Sequence, residues 1–329
     1  MRAWQLHDFG SLDHLRLDEV PRPEPGPGEV LLQVAYAALN PADRYMALGQ
    51  YPRPAAPPFA LGRDASGTVV RAAESGRIPE GSRVVLLRSD LGVSRTGTLA
   101  EYVSVPEDCL APLPEGWSLA EGAAGPLVLL TAWKALVEQG DVRPGETVLV
   151  NGASGGVGTA AVMLGSALGA RVVALSRDAA KREALAALGA AAVVDASDPA
   201  WGEAVKSAVG GGRVDLVIEN LGGSYFEQNM KLVSYGGRVM IVGLLAGLAP
   251  KLPLGLMIHK GIRVQGLSVS GYSNAEAQAA WDAIVALLAQ AGRRPLVDAV
   301  FPMDALPAAF DRLAAGPLGK VAIAVGTGL

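Results

Sequence analysis

The chain has 329 residues, half of them hydrophobic and 18% charged, which allows two domains with large cores and argues against disorder. The net charge of −4, with no Lys/Arg cluster, makes nucleic acid a poor partner. The single cysteine, Cys109, excludes an internal disulfide and any CxxC zinc or redox site, and it fits a reducing cytoplasm.

The opening segment MRAWQLHDFG carries His and Asp where a signal peptide needs an apolar run. Up to about residue 120 the texture is β-rich. VLLQVAYAAL, SGTVVRAA, SRVVLL and LAEYVSV are short apolar or alternating runs, separated by PRPEPGPGE, RPAAPP, PEGS and PLPEGW. The longest apolar run, AAGPLVLLTAW, is about half of the roughly 20 residues a membrane span needs, so no membrane partner is expected.

After residue 120 the period changes. Strands TVLVNG, RVVAL, AVVD, DLVIEN and RVMIVG alternate with helix candidates at 158–168, 178–188, 199–208 and 224–233. Gly169 and Gly189 stand where helices end. This alternation predicts a doubly wound parallel sheet covered on both faces. RVQGLSVSG at 263–271 reads as a further strand, and 275–291 as an amphipathic helix. The tail AVFPM…GKVAIAV returns to strand texture and is expected to rejoin the first domain. No repeat of 20–50 residues is visible.

The run Thr147-Val-Leu-Val-Asn-Gly-Ala-Ser-Gly-Gly-Val-Gly158 is the most informative stretch. A β-branched strand enters a glycine-dense turn and a helix follows, the arrangement that holds a pyrophosphate on backbone N–H groups. Ala153, Gly155 and Gly158 give A-x-G-x-x-G rather than the strict glycine pattern. Ser154, Gly155, Gly156, Val157 and Gly158 are the expected phosphate contacts. An NAD site usually has Asp or Glu at the end of the second strand. Here Ser176 and Arg177 stand there, with Lys181 one turn later. A hydroxyl and two cations suit the 2′-phosphate of NADPH. The alternative is a solvated helix start, with Asp178 serving NAD. Asn220, Leu221, Gly243 and Leu244 lie at the carboxyl ends of later strands and are expected near the ribose and nicotinamide.

Several segments carry a resemblance. ALNPADRYMALGQYP at 38–52, LGRDASGTVV at 61–70, GTLAEYVSVP at 97–106, PLVLLTAWKAL at 126–136, NGASGGVG and the closing GKVAIAV follow one another in the order of the medium-chain dehydrogenase/reductases. The chain most resembles their zinc-independent quinone oxidoreductase branch. The resemblance implies an α/β fold in two domains. Residues 1–122 and 268–329 would form a GroES-like β-rich substrate domain, and 123–267 a Rossmann domain for NADPH. It also implies a homodimer joined through the Rossmann sheets.

Zinc-dependent members place Cys at the position of Asn40, His at Arg63, Glu at Asp64, and Cys or Asp near Leu127. Here only Asp64 is a suitable ligand, and zinc needs three or four. SDLGVSRTG fills the region of the structural zinc lobe without a cysteine, and His7, His14 and His259 fit no ligand spacing. No metal is therefore expected. Without a Lewis acid, simple alcohol oxidation becomes a poor reading. Hydride still reaches an electron-poor acceptor such as a quinone or an α,β-unsaturated carbonyl, given positioning and a hydrogen-bond donor.

Tyr51, in GQYP, is the expected donor, because a phenol is neutral, donates and supplies a proton. The competing role is a tyrosine packed on its prolines. By resemblance Tyr45 faces the same site, with Asp43 on the same segment. Asn40 suits the nicotinamide carboxamide or the acceptor oxygen, and equally a turn before Pro41. Thr131 matches a family threonine beside the nicotinamide, or is a helix-interior Thr bonded to its own backbone. Lys320 is expected to close the site from the tail. One departure is Ala196, where many quinone reductases carry a Tyr after the third Rossmann strand.

The first functional expectation is an NADPH-dependent reductase of quinones or similar small conjugated carbonyls. The second is a 2-enoyl thioester reductase, which LMIHKGIRVQGLSVSG faintly resembles and for which Arg44, Arg53 and Arg63 would supply a basic rim. The third is an NADPH-binding protein without enzymatic activity, as some relatives of this branch are.

Overall fold

The ten-residue strand Glu29–Ala38 is the spine of the first unit, with Val30, Leu32, Val34 and Ala37 fully buried. The computed structural model describes residues 1–52, 54–248 and 250–326. Arg53, one of the three expected rim arginines, lies outside the described residues.

The chain forms two compact units. The first comprises Met1–Leu127, Ser270–Asp282 and Arg294–Leu329, and the second Val128–Val269 and Ala283–Arg293. The first break thus falls five residues beyond the expected 122, and residues 283–293 belong to the second unit. Within that unit Arg293 Nη1 donates to Ala187 O at 3.2 Å, which ties this stretch to the end of the helix Ala179–Ala187.

In the first unit a seven-stranded sheet has the order Val297–Pro302, Lys320–Ala324, Glu29–Ala38, Asp64–Arg71, Arg83–Leu86 and Leu110–Pro112. Tyr102–Pro106 pairs with the start of Glu29–Ala38. Arg2–Leu6, Leu15–Glu19 and Phe59–Ala60 form a smaller sheet. The sequence reads as strands here because β-branched and leucine residues recur between Pro/Gly breaks, and they fill one core: Leu32, Leu61, Val84, Leu86, Val103, Val321 and Ile323. Register matters for the site. Ala38 pairs with Ala322 on one side and with Asp64 on the other. Lys320, Asn40 and Asp64 therefore meet at one end of three adjacent strands.

In the second unit six strands run parallel in the order Ala192–Asp195, Arg171–Ser176, Thr147–Val150, Val214–Glu219, Val233–Ile241 and Arg263–Gly266. This is the doubly wound sheet, with the order reversing at Thr147–Val150. All four residues of Thr147–Val150 are buried, as a strand covered on both faces requires. The last strand is shorter than the expected 263–271. Its partner offers register only as far as Ile241, opposite Gly266, and Val269–Gly271 turns instead as a short 3₁₀ segment. The helix expected at 275–291 spans Asn274–Gln290. No helix among the described residues is long and apolar enough to cross a membrane.

Candidate functional site

The glycine turn of the second unit leads into the helix Gly156–Ala167, whose N-cap Gly155 lends it no side-chain hydrogen bond. The first N–H groups of that helix are left for a ligand. Gly158 admits no substitute, since an added Cβ would stand 2.3 Å from Gly152 O and 2.6 Å from Ala153 Cα. Helix and strand approach here as closely as the motif demands. Ala153 is fully buried and its N–H donates to Leu175 O at 3.3 Å, which accounts for an apolar residue at the first motif position.

Ser154 and Ser176 meet through their hydroxyls at 3.0 Å, joining the glycine turn to the end of the second strand. Ser176 is buried and Arg177 exposed. The Asp178 carboxylate caps the next helix by accepting from Ala180 N at 3.0 Å, and it pairs with Lys181 at 3.5 Å. Arg182, which sequence reading passed over, pairs with Asp195 at 3.1 Å. At Ala196 the Tyr225 hydroxyl donates to the backbone carbonyl at 3.4 Å, its ring stacked on Trp201. A tyrosine thus reaches this position from another helix.

Asn220 and Leu221 are placed by a buried polar knot that the sequence reading missed. Glu219 is fully buried, and its carboxylate accepts from Asn151 Nδ2, Asn229 Nδ2, Leu221 N and Gly222 N at 2.7–2.9 Å. Asn220 donates through its own Nδ2 to Asn151 O at 2.7 Å. The Gly243 N–H donates to Glu219 O at 3.1 Å, so Gly243 and Leu244 stand beside this turn. A carboxylate closing an apolar strand, as in DLVIEN, was the available signal. Thr131 is buried in the helix Pro126–Trp133.

The first unit carries a second polar cluster. Asn40 caps the helix Pro41–Ala47, and its N–H donates to Asp43 Oδ2 at 2.7 Å. Asn40 Oδ1 accepts from Lys320 Nζ at 2.6 Å, while Asn40 Nδ2 donates to Asp64 Oδ2 at 2.9 Å. Lys320 Nζ also reaches Asp64 Oδ2 at 2.8 Å, with side-chain exposures of 5% and 1%. The amide of Asn40 and the ammonium of Lys320 are thus committed to buried partners. The roles expected for them, on the cofactor or the acceptor, would be played beside these bonds. Asp43 is sealed beside this pair. Burial drives its carboxyl up to about 6, against the Asn40 N–H and Lys320, which pull it down; Asp64 adds to the rise. Tyr45 is half-buried and Arg44 exposed on the same helix. Tyr51 is half-buried against the core, and its hydroxyl accepts from Arg63 Nη1 at 2.9 Å.

These residues do not suit zinc. Of Asn40, Arg63 and Asp64, only Asp64 is an anionic ligand, and an ammonium already lies against it. Among the described residues no group of three His, Cys, Asp or Glu is placed to hold a metal.

Two family models match the chain: the alcohol dehydrogenase GroES-like domain over residues 26–115, and zinc-binding dehydrogenase over residues 156–290. The chain is 29% identical to the quinone oxidoreductase of Mus musculus over 327 residues, covering 98% of this chain and 97% of that protein. An NAD-dependent alcohol dehydrogenase superposes with a TM-score of 0.92 at 32% identity, covering 99% of this chain and 100% of that one. The quinone oxidoreductase of Thermus thermophilus, solved also in complex with NADPH, gives 0.81 at 35% identity over 98% of this chain and 100% of that one. With both domains matched and the alignment running almost end to end, the chain belongs to the medium-chain dehydrogenase/reductase superfamily, in its quinone oxidoreductase-like branch, and is an oxidoreductase.

Proposed function

We propose that the chain transfers hydride from NADPH to a quinone or another small conjugated carbonyl, without zinc. The observation that carries the cofactor choice is the end of the strand Arg171–Ser176. A buried hydroxyl, an exposed guanidinium and Lys181 stand there, and the neighbouring carboxylate of Asp178 is already a helix cap. An NAD site would want that carboxylate on the ribose.

When bound, NADPH supplies a hydride from its nicotinamide ring. Backbone N–H groups of Gly156, Val157 and Gly158 would hold the pyrophosphate, with Gly155, whose own N–H donates to Gly152 O at 3.1 Å, shaping the turn beneath it. Ser154, Ser176, Arg177 and Lys181 take the 2′-phosphate. Asn220, Leu221, Gly243, Leu244 and Thr131 orient the ribose and nicotinamide, the first two on the rigid base made by Glu219. Tyr51 gives a proton to the acceptor oxygen, and Tyr45 lines the acceptor. Asn40 and Lys320 fix the segment that carries both tyrosines.

We also read the working form as a homodimer joined through the second unit. Arg263–Gly266 is an edge strand, and Leu252, Leu254 and Ile258, in the segment that leads into it, are 50–83% exposed.

Equilibrium titration with both cofactors tests the reading, followed by turnover on 1,4-benzoquinones and crotonyl thioesters. NADPH is expected to bind at least about tenfold tighter than NADH, since one or two charge-assisted bonds are worth that much. Quinones are expected to turn over faster than thioesters. Tighter NADH binding removes the cofactor assignment. A thioester preference makes the chain a 2-enoyl thioester reductase, and no oxidation with any acceptor makes it a binding protein.

A further inference from the structure

Arg63 is a half-buried cation whose guanidinium, among the described residues, hydrogen-bonds no carboxylate. Its Nε is buried without a partner among the described residues, and Nη1 donates to Tyr51 Oη at 2.9 Å. The guanidinium carbon lies 5.7 Å from the Tyr51 ring centre. The backbone on both sides of Arg63 is pinned. Gly62 has φ +99, and a Cβ there would stand 2.6 Å from Thr98 Oγ1 and 2.9 Å from Leu99 N. Thr98 Oγ1 donates to Asp64 O at 2.8 Å. Arg63 thus leaves a pinned backbone and places a half-buried charge against the Tyr51 phenol, a charge that Asp43 also feels.

Two consequences follow from elementary chemistry. A phenol has one hydrogen and accepts through its oxygen. With Arg63 donating to that oxygen, the Tyr51 proton points away from the guanidinium. When the proton leaves, negative charge appears on an oxygen 2.9 Å from a fixed cation. The Arg63 bond strengthens only as that charge develops, the differential stabilisation that speeds a step.

We infer that Arg63 is a positioning residue that aims the Tyr51 proton and stabilises the phenolate left behind; this rests on the reading of Tyr51 as proton donor. The step balances. The hydride brings two electrons and forms a C–H bond on the conjugated acceptor, and the conjugated pair moves to the acceptor oxygen. That oxygen takes the proton as the Tyr51 O–H bond breaks. The phenolate regains a proton from water before the next turnover.

The experiment is a double-mutant cycle on the full chain with NADPH and a benzoquinone, using Arg63→Gln, Arg63→Lys, Tyr51→Phe and Arg63→Gln/Tyr51→Phe. Arg63→Gln is expected to lower kcat by about 10² while the KM for NADPH changes less than about twofold, in line with the loss of one donor to a developing oxyanion. Arg63→Lys should restore about tenfold of that loss, because it keeps the charge but not the fork. The solvent deuterium isotope effect on kcat should rise in Arg63→Gln, as proton transfer becomes slower. In the Tyr51→Phe background, Arg63→Gln should cost less than about twofold. An equal cost in both backgrounds overturns the inference, since Arg63 then acts without Tyr51. Full turnover in Arg63→Gln beside a crippled Tyr51→Phe overturns it and leaves the tyrosine reading intact. Full turnover in Tyr51→Phe removes both.

Discussion

Asp43 shows how much a single buried carboxyl weighs. Its ordinary value of 3.8 rises to about 6 on burial, so the folded chain keeps a proton that the unfolded chain has released. The contribution is fully present below about pH 4 and declines as pH rises through about 6, for a total of about 3 kcal/mol. Glu29, Glu101, Glu107 and Glu146 are held below their ordinary value by arginine, hydroxyl and backbone partners, and they act in the opposite sense. Comparing wild type with Asp43→Asn cancels them. The variant retains an acceptor for the Asn40 N–H and should gain on wild type by up to about 3 kcal/mol between about pH 4 and about pH 7. Urea unfolding at several pH values reads this directly, and a difference independent of pH would contradict it. Asp43, Asp64, Asn40 and Lys320 are each visible in the sequence. Their assembly is not, because it depends on a strand register that brings together side chains 280 positions apart.

Among the elements, the strand–turn–helix from Thr147 to Ala167 was the most legible, since its glycines and its β-branched run have a local physical reason. It also gives a sharp expectation. Gly158→Ala drives a methyl against three backbone atoms at under 3 Å, so the turn must open. We expect NADPH affinity to fall at least about tenfold and stability by about 1–3 kcal/mol, measured by cofactor titration and thermal unfolding. Gly155→Ala at the N-cap meets only Gly152 O at 3.6 Å and should be far milder. The alternation of strands and helices predicted the parallel sheet for the same reason, that each element announces its own period. The overlong strand at 263–271 has the converse explanation. Leu267–Gly271 looks extended by composition, yet a strand continues only as far as a neighbour offers hydrogen bonds. Glu219 and its asparagines stayed hidden because a satisfied buried carboxylate and an exposed one look alike in one dimension.

At the scale of the whole molecule, the exposed apolar face of the second unit gives an assembly prediction. Ile258 is 83% exposed on the helix Leu254–Lys260, which leads into the edge strand Arg263–Gly266. Ile258→Glu should shift a dimer to monomer in analytical ultracentrifugation with an unchanged circular dichroism spectrum, and a wild-type monomer at all concentrations would remove the dimer reading. The first unit carries a different consequence. Its sheet is threaded by Lys320–Ala324, which lies between Val297–Pro302 and Glu29–Ala38. A ribosome therefore delivers Asp43 and Asp64 long before the ammonium that neutralises their cluster, and it delivers the central strand long before Lys320–Ala324, one of the three strands that pair with it. The second unit's parallel sheet has all six strands by residue 266. During synthesis the later-made domain is complete first, while the earlier one waits with an open seam and an uncompensated acidic pair.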